Sequence, residues 1–286
     1  DDFTALAYES DLNWFKKVLE MKFDMKHRGR IGPADNDEKV IKLLNRVIEW
    51  FDYGINYEPD QRHADLIVQG AGLQSGSKGL SIPGVVVTEG CQQPLDQYEA
   101  SLYRALAARA NYLAQDRSDI QFSVKQICKG MSNPSGQDWD AIKRLARYLI
   151  DHRRCITHFA YQDAVKSVAV WVDSDWAGDR KDRKSTSGGV LRFGNHTIKT
   201  WSSTQKHVAT FGIGLCSLLG DLGINVNTDV HIMTDSSGAK GICSRQGLGQ
   251  FRHIEVKLLW SQDRVKKGDI VIKKVPGTEN LADALT

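Results

Sequence analysis

Apolar residues recur along this chain with two periods, and the architecture expected changes where the period changes. Behind the polar group Glu9-Ser10-Asp11, the residues Leu12, Phe15, Val18, Leu19 and Phe23 recur at helical spacing, the signature of an amphipathic helix with a capped start. Residues 3–8 and 24–31 read as short strands on either side of it, and residues 32–37 as a loop. Residues 40–51 fit both periods. The turn Asp52-Tyr53-Gly54 ahead of residues 55–58 favours a hairpin there. Residues 59–71 read as a helix, with Pro59 in its first turn and Gly72 beyond its end. Residues 74–94 are rich in Gly, Ser and Gln and are broken by Pro83 and Pro94, so they read as a linker. Helical spacing then returns. Tyr98, Leu102, Ala105, Leu106, Arg109, Tyr112 and Leu113 trace one helix and residues 119–131 a second. Trp139, Ile142, Leu145, Leu149 and Ile150 trace a third, set off by Asn133-Pro134-Ser135-Gly136. Residues 155–161 are a strand candidate.

From Val168 the alternation is two-residue. Val168, Val170 and Val172 fall on one face, Ala169 and Trp171 on the other, and Asp173 and Asp175 stand where the strand should end. Residues 189–193 and 197–202 flank Gly194-Asn195, a two-residue hairpin turn. A short helix is expected over 211–222, a strand over 230–234 ending at Asp235, a helix over 236–243 and a longer one over 253–267. A strand over 269–275 and a helix starting at Asn280 close the order. That succession describes an α/β domain, a mixed five-stranded sheet with helices on its faces, behind an α+β N-terminal part.

Composition changes this picture little. The chain has 286 residues, 41% of them hydrophobic, and a net charge of +3, which suits two globular domains or one with extensions and does not by itself imply a polyanionic partner. The charge is uneven, however. Residues 252–274 hold Arg252, Lys257, Arg264, Lys266, Lys267, Lys273 and Lys274 against Glu255, Asp263 and Asp269. Residues 180–184 add Arg180, Lys181, Arg183 and Lys184 against Asp182. Such runs either neutralise phosphates or lie as solvated faces. The cysteines, Cys91, Cys128, Cys155, Cys216 and Cys243, are scattered and form no CxxC pair. The expectation is an intracellular, reducing compartment, cytoplasmic or nuclear, with neither a disulfide framework nor a zinc site. No apolar run approaches the length of a membrane span, and the first residues show no signal pattern, so they read as the middle of something longer.

Asp173, Asp235 and Asp283 all fall at the ends of strands or the start of a helix on one side of the expected sheet. Three converging carboxylates repel unless a cation lies between them. Magnesium, or manganese, is the cation whose oxygen-only chemistry suits such a set, and a two-ion site of this kind serves phosphoryl hydrolysis. Asp175 is expected to support this site rather than to bind the ion. Trp176 and Trp201 are expected to pack rather than to stack on a base. Ser185, Thr186 and Ser187 suit either phosphate oxygens or turn chemistry.

Several stretches together resemble one family. Asp173-Ser174-Asp175-Trp176-Ala177-Gly178, the Arg183-Lys184-Ser185-Thr186-Ser187-Gly188 run and Thr200-Trp201-Ser202-Ser203-Thr204-Gln205 resemble the ribonuclease H domain of copia-type retrotransposon Pol polyproteins. So do Thr234-Asp235-Ser236-Ser237-Gly238-Ala239, Arg252-His253-Ile254 and Leu281-Ala282-Asp283-Ala284-Leu285-Thr286, in family order. Asp1-Asp2 resembles the end of the polymerase xVDD motif, and the stretches around Arg104 and Asp116–Ile120 resemble the connection between polymerase and ribonuclease H. The resemblance implies a palm end and thumb remnant over 1–73, a linker over 74–94, a helical connection over 95–165 and a ribonuclease H-like domain over 166–286. It implies metal-dependent cleavage of RNA in RNA–DNA hybrids, with Asp173, Asp235 and Asp283 as metal ligands and His253 as an auxiliary. Asp1 and Asp2 would be a polymerase remnant, and Arg183, Lys184, Ser185, Arg252 and Lys257 would contact nucleic acid.

The chain departs from the family in two places. The polymerase fingers and the first palm Asp would lie upstream of Asp1. No Glu occurs between Glu99 and Glu255, where the family carries a catalytic Glu on a long helix; Gln205 is followed by Lys206-His207-Val208-Ala209-Thr210 and then Phe211-Gly212-Ile213-Gly214. His207 is a poor magnesium ligand. Two readings stay open: a hybrid-cleaving enzyme fragment with impaired activity, or a catalytically inactive, repurposed nucleic-acid-binding or assembly protein.

Overall fold

A computed structural model describes residues 4–74, 76–84, 92–165, 167–175, 185–204, 230–245 and 256–286; of residues 204 and 256–260 it describes the backbone alone. The chain divides into two compact units, Asp1–Asp60 with Arg154–Tyr161, and Gln61–Arg153 with Gln162–Thr286.

The first unit holds α1 (Glu9–Lys22), β1 (Val40–Leu43), β2 (Arg46–Phe51) and β3 (Gly54–Glu58), joined by β4 (Thr157–Ala160) from later in the chain. The ambiguous stretch 40–51 is itself a hairpin. Leu44 and Asn45 both take positive φ (48° and 64°), the backbone of a two-residue turn matched to strand twist. All pairings in the order β1-β2-β3-β4 are antiparallel. Arg154 fixes this edge by donating from Nε and Nη2 to the two carboxylate oxygens of Glu58, each at 2.8 Å. Residues 4–8 and 24–30 are irregular rather than strands, and Ile31 makes only an isolated bridge to Glu38. These stretches find no ladder. Their shape comes instead from side chains such as Arg30, which donates to Asp37 at 2.5 Å and Glu9 at 3.1 Å.

In the second unit, α2 (Arg62–Gly70), α3 (Gln97–Leu113), α4 (Gln121–Lys129) and α5 (Gly136–Asp151) surround one apolar core. Tyr103, Ile67, Ile120, Leu145 and Leu149 are completely buried in it. The helix starts are written in the sequence. Asp96 accepts from Glu99 N at 2.8 Å while Glu99 reaches back to Asp96 N, and Asp138 accepts from both N and Oγ of Ser135. α2 packs on α3 and α5, and residues 157–160 pair with β3.

The second sheet contains β5 (Val168–Ser174), β6 (Thr186–Phe193), β7 (His196–Thr204), β8 (Val230–Thr234) and β9 (Ile270–Lys274), in the order β7-β6-β5-β8-β9. The first three strands are antiparallel neighbours, turning at Gly194-Asn195; β8 and β9 run parallel to β5. Helices α6 (Ser237–Ser244) and α7 (Val256–Lys267) lie between the parallel strands β8 and β9 in the chain. This is the mixed five-stranded sheet of an α/β fold, as expected.

Alternation sorts the residues of this sheet onto two faces. Val168, Val170 and Leu191 are buried on one, with Val230, Ile270 and Trp201 in the same cluster. Trp171 and Val190 face the other way, onto Ala282 and Leu285. The connection helices dock on the same sheet: Gln121 donates to Thr200 O at 3.3 Å, and Lys125 donates to Thr186 Oγ1. The C-terminal stretch expected to begin a helix instead makes two 3₁₀ turns, Gly277–Glu279 and Asp283–Leu285. Asn280 breaks any helix there. Its ψ is 104°, and its side chain donates to Val172 O at 3.2 Å. The helix expected over 211–222 lies outside the described residues.

Candidate functional site

The parallel register of β5 and β8 pairs Val172 with Thr234. The next residue on each strand is an acid, so Asp173 and Asp235 stand at neighbouring strand ends. Adjacent strands lie about 4.8 Å apart, so two carboxylates in these positions are within reach of one small cation. Both are half-buried. The β5–β6 register also sets Asp173 opposite Gly188, on the face that carries Trp171.

Residues 275–286 cross the ends of these strands in spatial order. Val275 N donates to Thr234 O at 3.0 Å. Gly277 passes beside the Asp235 carboxylate, where a Cβ would sit 3.5 Å from Oδ2. Asn280 reaches Val172 O at 3.2 Å, and Ser202 Oγ donates to Leu285 O at 2.6 Å. Ala282 and Leu285 are buried at 0% and 4% exposure. The chain comes so close to β6 here that a Cβ on Gly188 would lie 2.8 Å from Ala282 O and from Leu285 Cβ. At the end of this strap, Thr286 Oγ1 donates to Asp173 Oδ2 at 2.5 Å.

Of the three acids expected to converge, the structure sets Asp173 and Asp235 at neighbouring strand ends and does not join Asp283 to them as a third ligand. Asp283 is exposed, because the turn that carries it buries Ala282 and Leu285 instead. Among the described residues no group of three His, Cys, Asp or Glu side chains is placed to hold a metal ion. Magnesium commonly takes one or two carboxylates and completes its octahedron with water and phosphate oxygens. The Asp173–Asp235 pair fits that donor set for a single ion.

The neighbouring polar residues have structural tasks. Asp175 Oδ1 accepts from Thr186 N, closing the entry to β6. Thr186 and Ser187 are buried at 3% and 4% exposure within β6, so neither hydroxyl lies open to a phosphate. Ser185 is half-buried just before that strand. Trp201 packs on Gly189, its partner across β6 and β7. Asp1, Asp2, Trp176, Arg183, Lys184, His207, Arg252 and His253 lie outside the described residues, and Lys257 is placed in α7 by its backbone alone.

Sequence reasoning missed the polar network of the connection. Arg117 is fully buried and donates to both oxygens of Asp119, from Nε at 2.9 Å and Nη2 at 2.5 Å, and to Arg153 O at 3.2 Å. Tyr148 adds a third bond to Asp119 at 2.8 Å and stacks on His152, ring centroids 4.2 Å apart. Burial pushes the Asp119 carboxyl up, but the bonds from Arg117 and Tyr148 outweigh it and hold the group below the usual carboxylate range. Burial and the bond to Asp119 push the Tyr148 hydroxyl up to about 12. The signal available in sequence was the spacing Arg117-x-Asp119, which a surface turn shares.

Cys128 and Cys243 are free thiols, and no helix among the described residues is long and apolar enough to cross a membrane.

No protein-family model matches the chain. Residue-level comparison finds the retrovirus-related Pol polyprotein from transposon RE2 of Arabidopsis thaliana, 30% identical over an alignment of 203 residues that covers 64% of this chain and 14% of that protein. The corresponding protein from transposon RE1 of the same plant is 29% identical over an alignment of 202 residues, again covering 64% of this chain and 14% of the relative. The chain thus spans about 14% of the length of these relatives. Among solved structures, a foamy viral protease-reverse transcriptase in complex with double-stranded DNA covers 84% of this chain and 38% of its own, at 8% identity and a TM-score of 0.45.

Proposed function

We propose that this chain, which belongs to the retrovirus-related Pol polyproteins of copia-type transposons, carries a ribonuclease H-type domain that binds RNA–DNA hybrid and cleaves it poorly. The observation that supports a nucleic-acid site is the β5–β8 register, which sets Asp173 and Asp235 at adjacent strand ends. Asp173 and Asp235 would hold one divalent ion, magnesium or manganese. Such an ion neutralises phosphate charge and activates water when bound. The chain's own part is to present both carboxylates from stiff strand ends, with the strap over them limiting their rotation. Arg183, Lys184, Ser185, Arg252 and Lys257 are assigned to the nucleic-acid backbone, His253 to an auxiliary role and Asp1-Asp2 to a polymerase remnant.

Poor cleavage rests on the residue inventory. No Glu lies between Glu99 and Glu255, so no glutamate is available to share the ion between the two strands' acids. The same feature favours the second reading, a domain that binds without cutting. One experiment addresses both. An end-labelled hybrid is titrated with the protein at increasing salt, and RNA-strand cleavage is followed with magnesium and with manganese. Binding is expected to weaken with salt, log K falling by about 0.7–0.9 per log unit of salt for each phosphate neutralised. Cleavage is expected to stay at the buffer background. A binding constant indifferent to salt rules out backbone recognition, and metal-dependent cutting abolished by Asp235→Asn rules out the impaired reading.

A further inference from the structure

We infer that Thr286 is a positioning residue for the cation site, holding the Asp173 carboxylate by one oxygen and leaving the other for a ligand. The inference rests on the proposed single-ion site. A threonine hydroxyl has one proton to give. Two acceptors compete for it, Asp173 Oδ2 at 2.5 Å and Asp283 O at 3.1 Å. The nearer acceptor is also the carboxylate, and charge-assisted bonds are the stronger. The proton therefore goes to Asp173, and Asp173 Oδ1 remains for a ligand. A carboxylate free to rotate would lose conformational freedom on taking up an ion, whereas one already held has less to lose.

Thr286 can do this because its own position is fixed from several sides. Leu285 is buried beside it, Ser202 Oγ grips Leu285 O, and Gly188 leaves room for the Thr286 methyl, which a Cβ there would approach to 2.9 Å. The strap also bonds at Val172 O, one residue before Asp173. Backbone and side chain of the β5 end are thus both held by residues 280–286. Partners of this kind, bonded to a metal-binding carboxylate, typically change metal affinity about 10- to 100-fold when removed.

The test uses Mn2+ alone as probe, following the loss of its free-ion electron paramagnetic resonance signal on binding to the full chain. The wild type is expected to bind, and Asp173→Asn to abolish binding. Thr286→Val, which keeps the shape and removes the hydroxyl, is expected to weaken binding by at least about tenfold. Thr286→Ser, which restores the hydroxyl, is expected to return most of it. Ser202→Ala loosens the strap while leaving the Thr286 hydroxyl in place, and is expected to weaken binding by clearly less than Thr286→Val does. Equal affinity of Thr286→Val and wild type overturns the positioning role and leaves the ion site standing. A loss in Ser202→Ala as large as in Thr286→Val overturns it too, since seating of the strap would then explain both. Absence of Mn2+ binding by the wild type overturns the ion site, and the positioning role with it.

Discussion

Replacing Arg117 with methionine is expected to destabilise the second unit by about 3 kcal/mol, read as a lower midpoint in urea or guanidinium denaturation. The guanidinium is almost completely buried, its side chain 2% exposed against 29% for Asp119. Methionine fills much of the volume but leaves Asp119 without its two-pronged partner and Arg153 O without its donor. Breaking a buried pair from one side typically costs about 3–5 kcal/mol, and the residual exposure of Asp119 puts this case at the lower end. Substituting Asp119 by leucine as well removes the orphaned charge and should recover part of the loss, which a double-mutant cycle measures. The sign with pH follows from the lowered pKa of Asp119. A carboxyl depressed in the folded state contributes stability above its unfolded value, and that contribution is lost as pH falls through the folded one. The wild type should therefore lose on acidification a contribution that the double variant never had. Equal acid sensitivity of the two would contradict the assignment, as would a midpoint unmoved by Arg117→Met.

Gly189→Val is expected to disrupt the β6–β7 contact, costing at least about 1–3 kcal/mol and altering the fluorescence of Trp201. A Cβ at Gly189 would lie 1.9 Å from Trp201 Cζ2 and 2.3 Å from Cε2. The indole has little room to yield, since it packs in the cluster of Val168, Val170 and Leu191. Trp201→Leu should restore tolerance for a larger residue at position 189. If Gly189→Val melts with the wild type, the indole is not held where the structure has it. The neighbouring glycine would fail differently. A side chain at Gly188 meets the Ala282 carbonyl and Leu285 on the opposite face.

These glycines show where sequence reading stops. Ser185, Thr186 and Ser187 suit phosphate contacts or a turn, with the strand expected only from Gly189. Thr186, Ser187 and Gly188 are strand residues too, and the two glycines are small because Trp201 lies over Gly189 and the strap over Gly188. The second strand also begins at Thr186, earlier than the expected residue 189. Local signals were legible: the Asp96 and Ser135 helix starts, the Gly194-Asn195 turn, and the strand ends carrying Asp173 and Asp235. Each depends on neighbours in sequence. Partners distant in sequence were not legible. Residues 155–161 read as a strand, yet nothing in them named β3 as their partner. Nor could spacing show that burying Ala282 and Leu285 turns Asp283 outward. Of the three acids picked from the motifs, the adjacency of two follows from strand register, and the exposure of the third follows from packing.

Asp173 and Thr286 are 113 positions apart in sequence. Contacts of such separation close late, because the loop entropy must be lost before the bond repays it. The β5-β6-β7 meander needs only local turns and can form as soon as it leaves the ribosome. At about 5–20 residues per second, roughly 6–23 s of translation separate Asp173 from Thr286. During that interval the nascent chain has its first hairpins but no restraint on the Asp173 carboxylate. The strap thus makes completion of the acidic edge one of the last events in building this unit, so that a chain still being translated carries the sheet's scaffold before its paired carboxylates are held.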